Sequence, residues 1–165
     1  MIVPVPVKSV FRRKVVEPVI AQLKQGVTPD KMALSIALGG VIGIFPILGS
    51  TTFLCLIVGV IFKLNHPVMQ LVNFLLYQFH IPMILFFVRI GEFIFGADPF
   101  SFSFDVLRKE LRADPLGFVD QFGMAGVHAI VGWMVIAPWI AFAIYYSVRP
   151  ILQKMSTNLP DPTRP

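Results

Sequence analysis

The stretch MALSIALGGVIGIFPILGSTTFLCLIVGVIF, residues 32–62, decides the fold, because it contains no Lys, Arg, Asp or Glu. Its middle, Gly43-Ile-Phe-Pro46-Ile-Leu-Gly49, is poor helix material. Pro46 removes a backbone donor and clashes with the preceding turn, and Gly49 tolerates left-handed backbone. Apolar arms flank this break. Three readings compete: a kinked core helix of a soluble protein, one long kinked membrane span, or a hairpin that dips into a bilayer and returns. The first arm, residues 29–45, measures about 25 Å as a helix, and residues 50–62 are shorter still. A bilayer core is about 30 Å thick, so the lengths suit the re-entrant hairpin. Such a turn carries free backbone groups, which protein or a wet cavity must shelter. The hydroxyls of Ser50, Thr51 and Thr52 are placed to satisfy amides at the start of the second arm.

Composition excludes the soluble reading. Of 165 residues, 56% are hydrophobic and 14% charged, with mean hydropathy +0.77. Soluble domains carry about 25% charged residues. The charges are also segregated: only Lys63 interrupts residues 32–88, and residues 121–148 hold none. The chain therefore reads as an all-α integral membrane protein. A net charge of +5 and pI near 9.7 would suit nucleic acid, but the basic residues flank apolar runs. Lys8, Arg12, Arg13, Lys14, Lys24 and Lys31 precede the first run, and Arg149, Lys154 and Arg164 follow the last. That is the positive-inside pattern, so both termini are expected on the cytoplasmic side and no nucleic-acid partner is expected.

Outward from the hairpin, residues 1–27 form a basic cytoplasmic segment whose part from 8 to 25 can be an amphipathic helix. Thr28-Pro29-Asp30 is a helix start: cap, first-turn proline, first-turn acid. Residues 28–96 form a core of two broken helical units. In the second, Asn65-His66-Pro67 opens a helix, His80-Ile-Pro82 breaks it, and a further run reaches Gly96. Arg89 and Glu92 stand three apart, close enough to pair. Residues 97–123 read as an amphipathic surface segment with a helix over 103–113. Residues 124–148 read as a transmembrane helix, and 149–165 as a cytoplasmic tail.

The pattern Gly39-x-x-x-Gly43-x-x-Pro46-x-x-Gly49-x-Thr51, then Asn65-x-Pro67, Pro82 and Gly91 to Gly96, resembles domain of unknown function family twenty sixty-two. The resemblance covers roughly residues 22–96. It implies a small bacterial inner-membrane protein, sometimes fused to glycosyltransferases. It transfers fold and location rather than mechanism.

No nucleotide loop, metal cluster or nucleophile elbow stands in the sequence, so neither an enzyme nor a cofactor is expected. His66, His80 and His128 lack ligand spacing and read singly as structural histidines. Two functions remain. The first is a facilitator for a small polar solute or a lipid headgroup, since paired interrupted helices mark transporter sites. Its expected pathway residues are Pro46, Gly49, Thr51, Thr52, Asn65, Asn73, His80, Arg89 and Glu92. The alternative is a non-catalytic module that anchors or assembles an envelope-synthesis enzyme. In either case membrane lipids and further copies of the chain are the expected partners. Gly39, Gly43, Ala137 and Ala141 are the expected helix-packing residues.

Overall fold

The computed structural model describes residues 27–99 and 115–157, with side chains of 115–122 excepted. The helices expected over 8–25 and 103–113, and the tail beyond Thr157, lie outside the described residues. Among the described residues the chain is helical, without strands.

Helix α1 is Pro29–Gly43. Thr28 caps it from extended backbone, its Oγ1 accepting from Lys31 N at 3.4 Å, and Pro29 sits in the first turn. Pro46, which has no N–H, follows the helix end within three residues. Phe45 N turns back to Ile42 O at 2.9 Å, so it does not reach Val41 O. Val41 O instead accepts from the indole Nε1 of Trp133, 3.1 Å away on a distant helix. The Phe45 ring stands edge-on to the same indole, centroids 4.9 Å apart. Trp133→Phe keeps the ring but strips a helix-end carbonyl of its donor. We expect a loss of about 1–3 kcal/mol, read by thermal unfolding in micelles, against no change for Phe at the exposed Trp139.

The chain reverses between Ile44 and Ser50, with Gly49 at φ +82. Helix α2 is Thr51–Ile61. Its start corrects the expected hydroxyl capping: α2 has no side-chain cap, and Ser50 Oγ donates to Ile47 O at 2.8 Å. Lys63 at φ 52 closes α2, with Lys63 N on Val60 O and Leu64 N on Gly59 O. Helix α3, His66–Leu76, then opens with Asn65 Oδ1 accepting from Val68 N at 3.1 Å.

A single 3-10 turn, Tyr77–Phe79, leads into α4, His80–Phe95. Leu76, Tyr77, Phe79 and His80 all keep right-handed or near-helical backbone, so the direction of the chain is held. The expected second break is thus only a tightened turn. Pro82 falls in the first turn of α4, where its missing N–H leaves no intrahelical bond unmade. Residues 66–95 form one rod of about 45 Å. Helix α5, Pro115–Thr157, has 43 residues and passes through Pro138 and Pro150. It overruns the expected 124–148 at both ends, reaching about 65 Å.

Close approaches fix the directions. Ser35 meets Asn65, Gly39 meets Met69 and Gly43 meets Asn73, so α1 and α3 run parallel. Gly59 meets His66 and Thr52 meets Gln70 and Asn73, so α2 runs back against α3. Gly91 meets His128 and Gly132 meets Phe87, so α4 and α5 are antiparallel. Leu152 packs on Met32, and α1 is antiparallel to α5 as well. Helices α1 and α4 therefore follow one another along α5. The α1–α2 hairpin stops beside the end of α3, part-way along the 66–95 rod.

Two helical stretches, His66–Phe95 and Gly123–Thr157, are long and apolar enough to cross a membrane. Their apolar windows are mostly unburied, and Phe93, Trp139, Val60 and Ile81 stand largely exposed. A contiguous apolar exterior of this kind needs a covering.

Candidate functional site at the hairpin tip

The hairpin tip meets the joint of α3 and α4. Gln70 Nε2 donates to Thr52 O at 3.1 Å, and Asn73 Nδ2 donates to Thr52 Oγ1 at 3.4 Å. Asn73 is buried, as are Thr51 and Pro46. The close approach needs Gly43: a Cβ there would lie 3.2 Å from Asn73 Cα. Gly39 serves likewise, with a would-be Cβ 2.9 Å from Met69 backbone. Gly49 is the exposed outer corner, with open space around it.

About two turns beyond Asn73 along the rod lies His80, 1% exposed. Neither ring nitrogen has a hydrogen-bond partner among the described residues. Such a group is expensive: a buried unmet donor or acceptor costs about 1–3 kcal/mol. His80 falls on the helix face of Leu76, Met83, Ile84 and Phe87, the face that packs with Ile44 at the end of α1. The Tyr77 ring stands edge-on, centroids 6.1 Å apart. Residue 80 is also the midpoint of the 66–95 rod, about 22 Å from either end. Sequence reading took His80 singly as a structural histidine. Its isolation was invisible there, since that depends on what the neighbouring helices offer.

The expected pathway residues do not form one group. Asn65 sits at the open end of the hairpin, its N–H donating to Ser35 Oγ at 2.9 Å, and Ser35 Oγ donates to Lys31 O. Gln78, in the 3-10 turn, is exposed and donates to Leu75 O. Arg89 and Glu92 pair at 2.8 Å in the last two turns of α4, with Glu92 buried and Arg89 half-exposed. About 24 Å of helix separates Asn73 from Arg89. The tip therefore assembles Pro46, Thr51, Thr52 and Asn73, with Gln70 added, and His80 lies about two helical turns beyond Asn73 on the same rod. Asn65, Arg89 and Glu92 belong elsewhere.

Of the expected packing residues on α5, Ala137 is buried, whereas Ala141 lines a groove toward α1. The tightest small-residue contact escaped the sequence reading. It joins Gly91 to His128 and Gly132 to Phe87, with Ala125 and Ala129 also buried on α5. Small residues at 125, 129 and 132, spaced four and three, were the available signal.

Among the described residues the two ends of the bundle differ in charge. The open end of the hairpin carries Lys31, Lys63, Arg149 and Lys154 against Asp30, which pairs with Arg149. The far end carries Arg89 against Glu92 and Asp98. Among the described residues no three His, Cys, Asp or Glu gather as a metal site would.

Residues 13–158 match the model of a family described as "Uncharacterized protein conserved in bacteria (DUF2062)". No curated protein and no solved structure matches the chain.

Proposed function

We propose that this chain, which belongs to the DUF2062 family, is a multi-pass protein of the bacterial inner membrane that eases a small polar solute or a lipid headgroup across the bilayer. The 66–95 rod and α5 are its spans, and α1–α2 is a re-entrant hairpin entered from the cytoplasm. The basic open end of that hairpin supports this orientation, since cytoplasmic ends carry the excess of Lys and Arg.

One observation carries the transport reading: His80, at the midpoint of the 66–95 rod, is buried with both ring nitrogens unmatched among the described residues. An ionisable group at membrane depth is costly and is retained where it has a task. A solute that loses its water there would find replacement hydrogen bonds from His80, and from Asn73 and Thr52 at the tip. The chain is interrupted beside Pro46, as discontinuous helices are in carriers. The hairpin is short and flanks the rod on one side, so a tilt of the tip is the motion that would open the site.

The test is flux from liposomes holding the purified protein, using labelled lipid and a panel of small polar solutes. Facilitated movement of any one above protein-free vesicles supports the reading, and none across the panel overturns it. The second reading, a non-catalytic module that assembles an envelope enzyme, draws on the glycine-lined contacts and the exposed apolar face of α2. It predicts no flux and co-purification of such an enzyme.

A further inference from the structure

Away from the hairpin tip, α1 and α5 leave a groove of about 310 Å³ between them, open along one side. Leu34 and Ala37 form one wall, and Pro138, Ala141, Phe142 and Tyr145 the other. Almost everything that faces it is apolar. The groove starts beside the basic end of the bundle. The Arg149 guanidinium stands 5.8 Å from the centroid of the Tyr145 ring, and Lys31 lies one turn before Leu34. From Arg149 to Pro138 the groove runs inward along α5 for about 16 Å. Pairing with Asp30 leaves this end net positive, because Lys31 and Lys154 have no carboxylate to match them there among the described residues.

We infer that this groove binds one acyl chain of an anionic phospholipid, with the phosphate held at Arg149 and Lys31 and the chain laid along Ala37, Ala141 and Phe142. An apolar trench that begins under a cationic cluster and runs along the helix axis matches a lipid's own order of parts. Basic pockets between helices on the cytoplasmic side take such headgroups, and each Lys or Arg near an anionic surface is worth about 1 kcal/mol. The small side chains of Ala37 and Ala141 make the room. The inference shares with the proposed transport only the membrane placement of the chain, and His80 has no part in it.

Native mass spectrometry of the whole protein tests it, after extraction from vesicles of equal phosphatidylglycerol, phosphatidylethanolamine and phosphatidylcholine. We expect a retained phosphatidylglycerol adduct enriched at least fivefold over phosphatidylcholine. Arg149→Gln should cut that preference about fivefold, the worth of one basic residue. Ala141→Phe should remove the adduct by filling the trench. His80→Leu should keep it, which separates failure here from failure of the transport reading. Should the trench variant not fold, a photo-crosslinker at position 142 of an otherwise unchanged chain decides. Crosslinks to lipid support the inference. Crosslinks to a second copy, or to residues 1–26 of the same chain, overturn it, as does equal retention of the three lipids.

Discussion

Gly91→Ala is expected to cost this protein more than about 3 kcal/mol, enough to abolish a monodisperse peak on size-exclusion chromatography. The added Cβ would lie 1.9 Å from His128 O and 2.4 Å from its carbonyl carbon. Both atoms are backbone in the middle of α5, so no side chain can swing aside. The helices must part by roughly 1.5 Å, the difference between 1.9 Å and the 3.4 Å at which ordinary contact begins. Overpacking costs about 1–3 kcal/mol where side chains can adjust, and more where backbones collide. Parting α4 from α5 also strips Phe87, Val88 and Ala129 of their buried contacts. Gly132→Ala, with its Cβ 2.3 Å from Phe87 O, should behave alike. The double variant should cost less than the sum, because one separation relieves both clashes. Gly126→Ala is the control: it has open space, and alanine favours helix by up to about 1 kcal/mol. If Gly91→Ala and Gly126→Ala purify equally well, the close α4–α5 contact is wrong.

His80→Leu is expected to move stability and transport in opposite directions. Leucine fills the site without polar atoms, so it removes two unmatched nitrogens from a buried face. The gain should be about 1–3 kcal/mol, seen as a higher unfolding midpoint in micelles. Flux in liposomes should fall to the protein-free level, because the central hydrogen-bonding group is gone. This is the trade expected where a functional group is kept at the expense of stability. A lower midpoint would mean that the ring is satisfied in the folded protein. Full flux with leucine in place would remove His80 from the pathway. His80→Gln keeps hydrogen-bonding groups without a titratable ring, so flux retained there would assign the role to hydrogen bonding rather than to charge.

The start of α1 at Thr28-Pro29, the break at Pro46 and the start of α3 at Asn65-His66-Pro67 were all legible in the sequence. Each is a local matter: a cap oxygen reaches an amide three residues on, and a proline lacks its donor wherever it sits. Pro82 misled the same reasoning. The rule that proline breaks helices does not say whether the chain can tighten into a 3-10 turn and restart, leaving proline in a tolerated first turn. The expected limits of α5 failed differently: hydropathy marks the apolar part of a helix, while 115–123 and 149–157 continue it with mixed character.

By itself the sequence determined where helices begin and where the first one must stop, which segments are apolar, and to which family the chain belongs. All of that is chemistry between near neighbours, or composition summed over a segment. Only the tertiary structure decided that Gly91 touches His128 while Gly126 touches nothing, that Trp133 caps a carbonyl 92 residues away, and that His80 alone of the expected polar set is buried with nothing to bond. Those outcomes depend on which helix faces meet. That is a property of pairs distant in sequence, set by how closely small residues let two backbones approach.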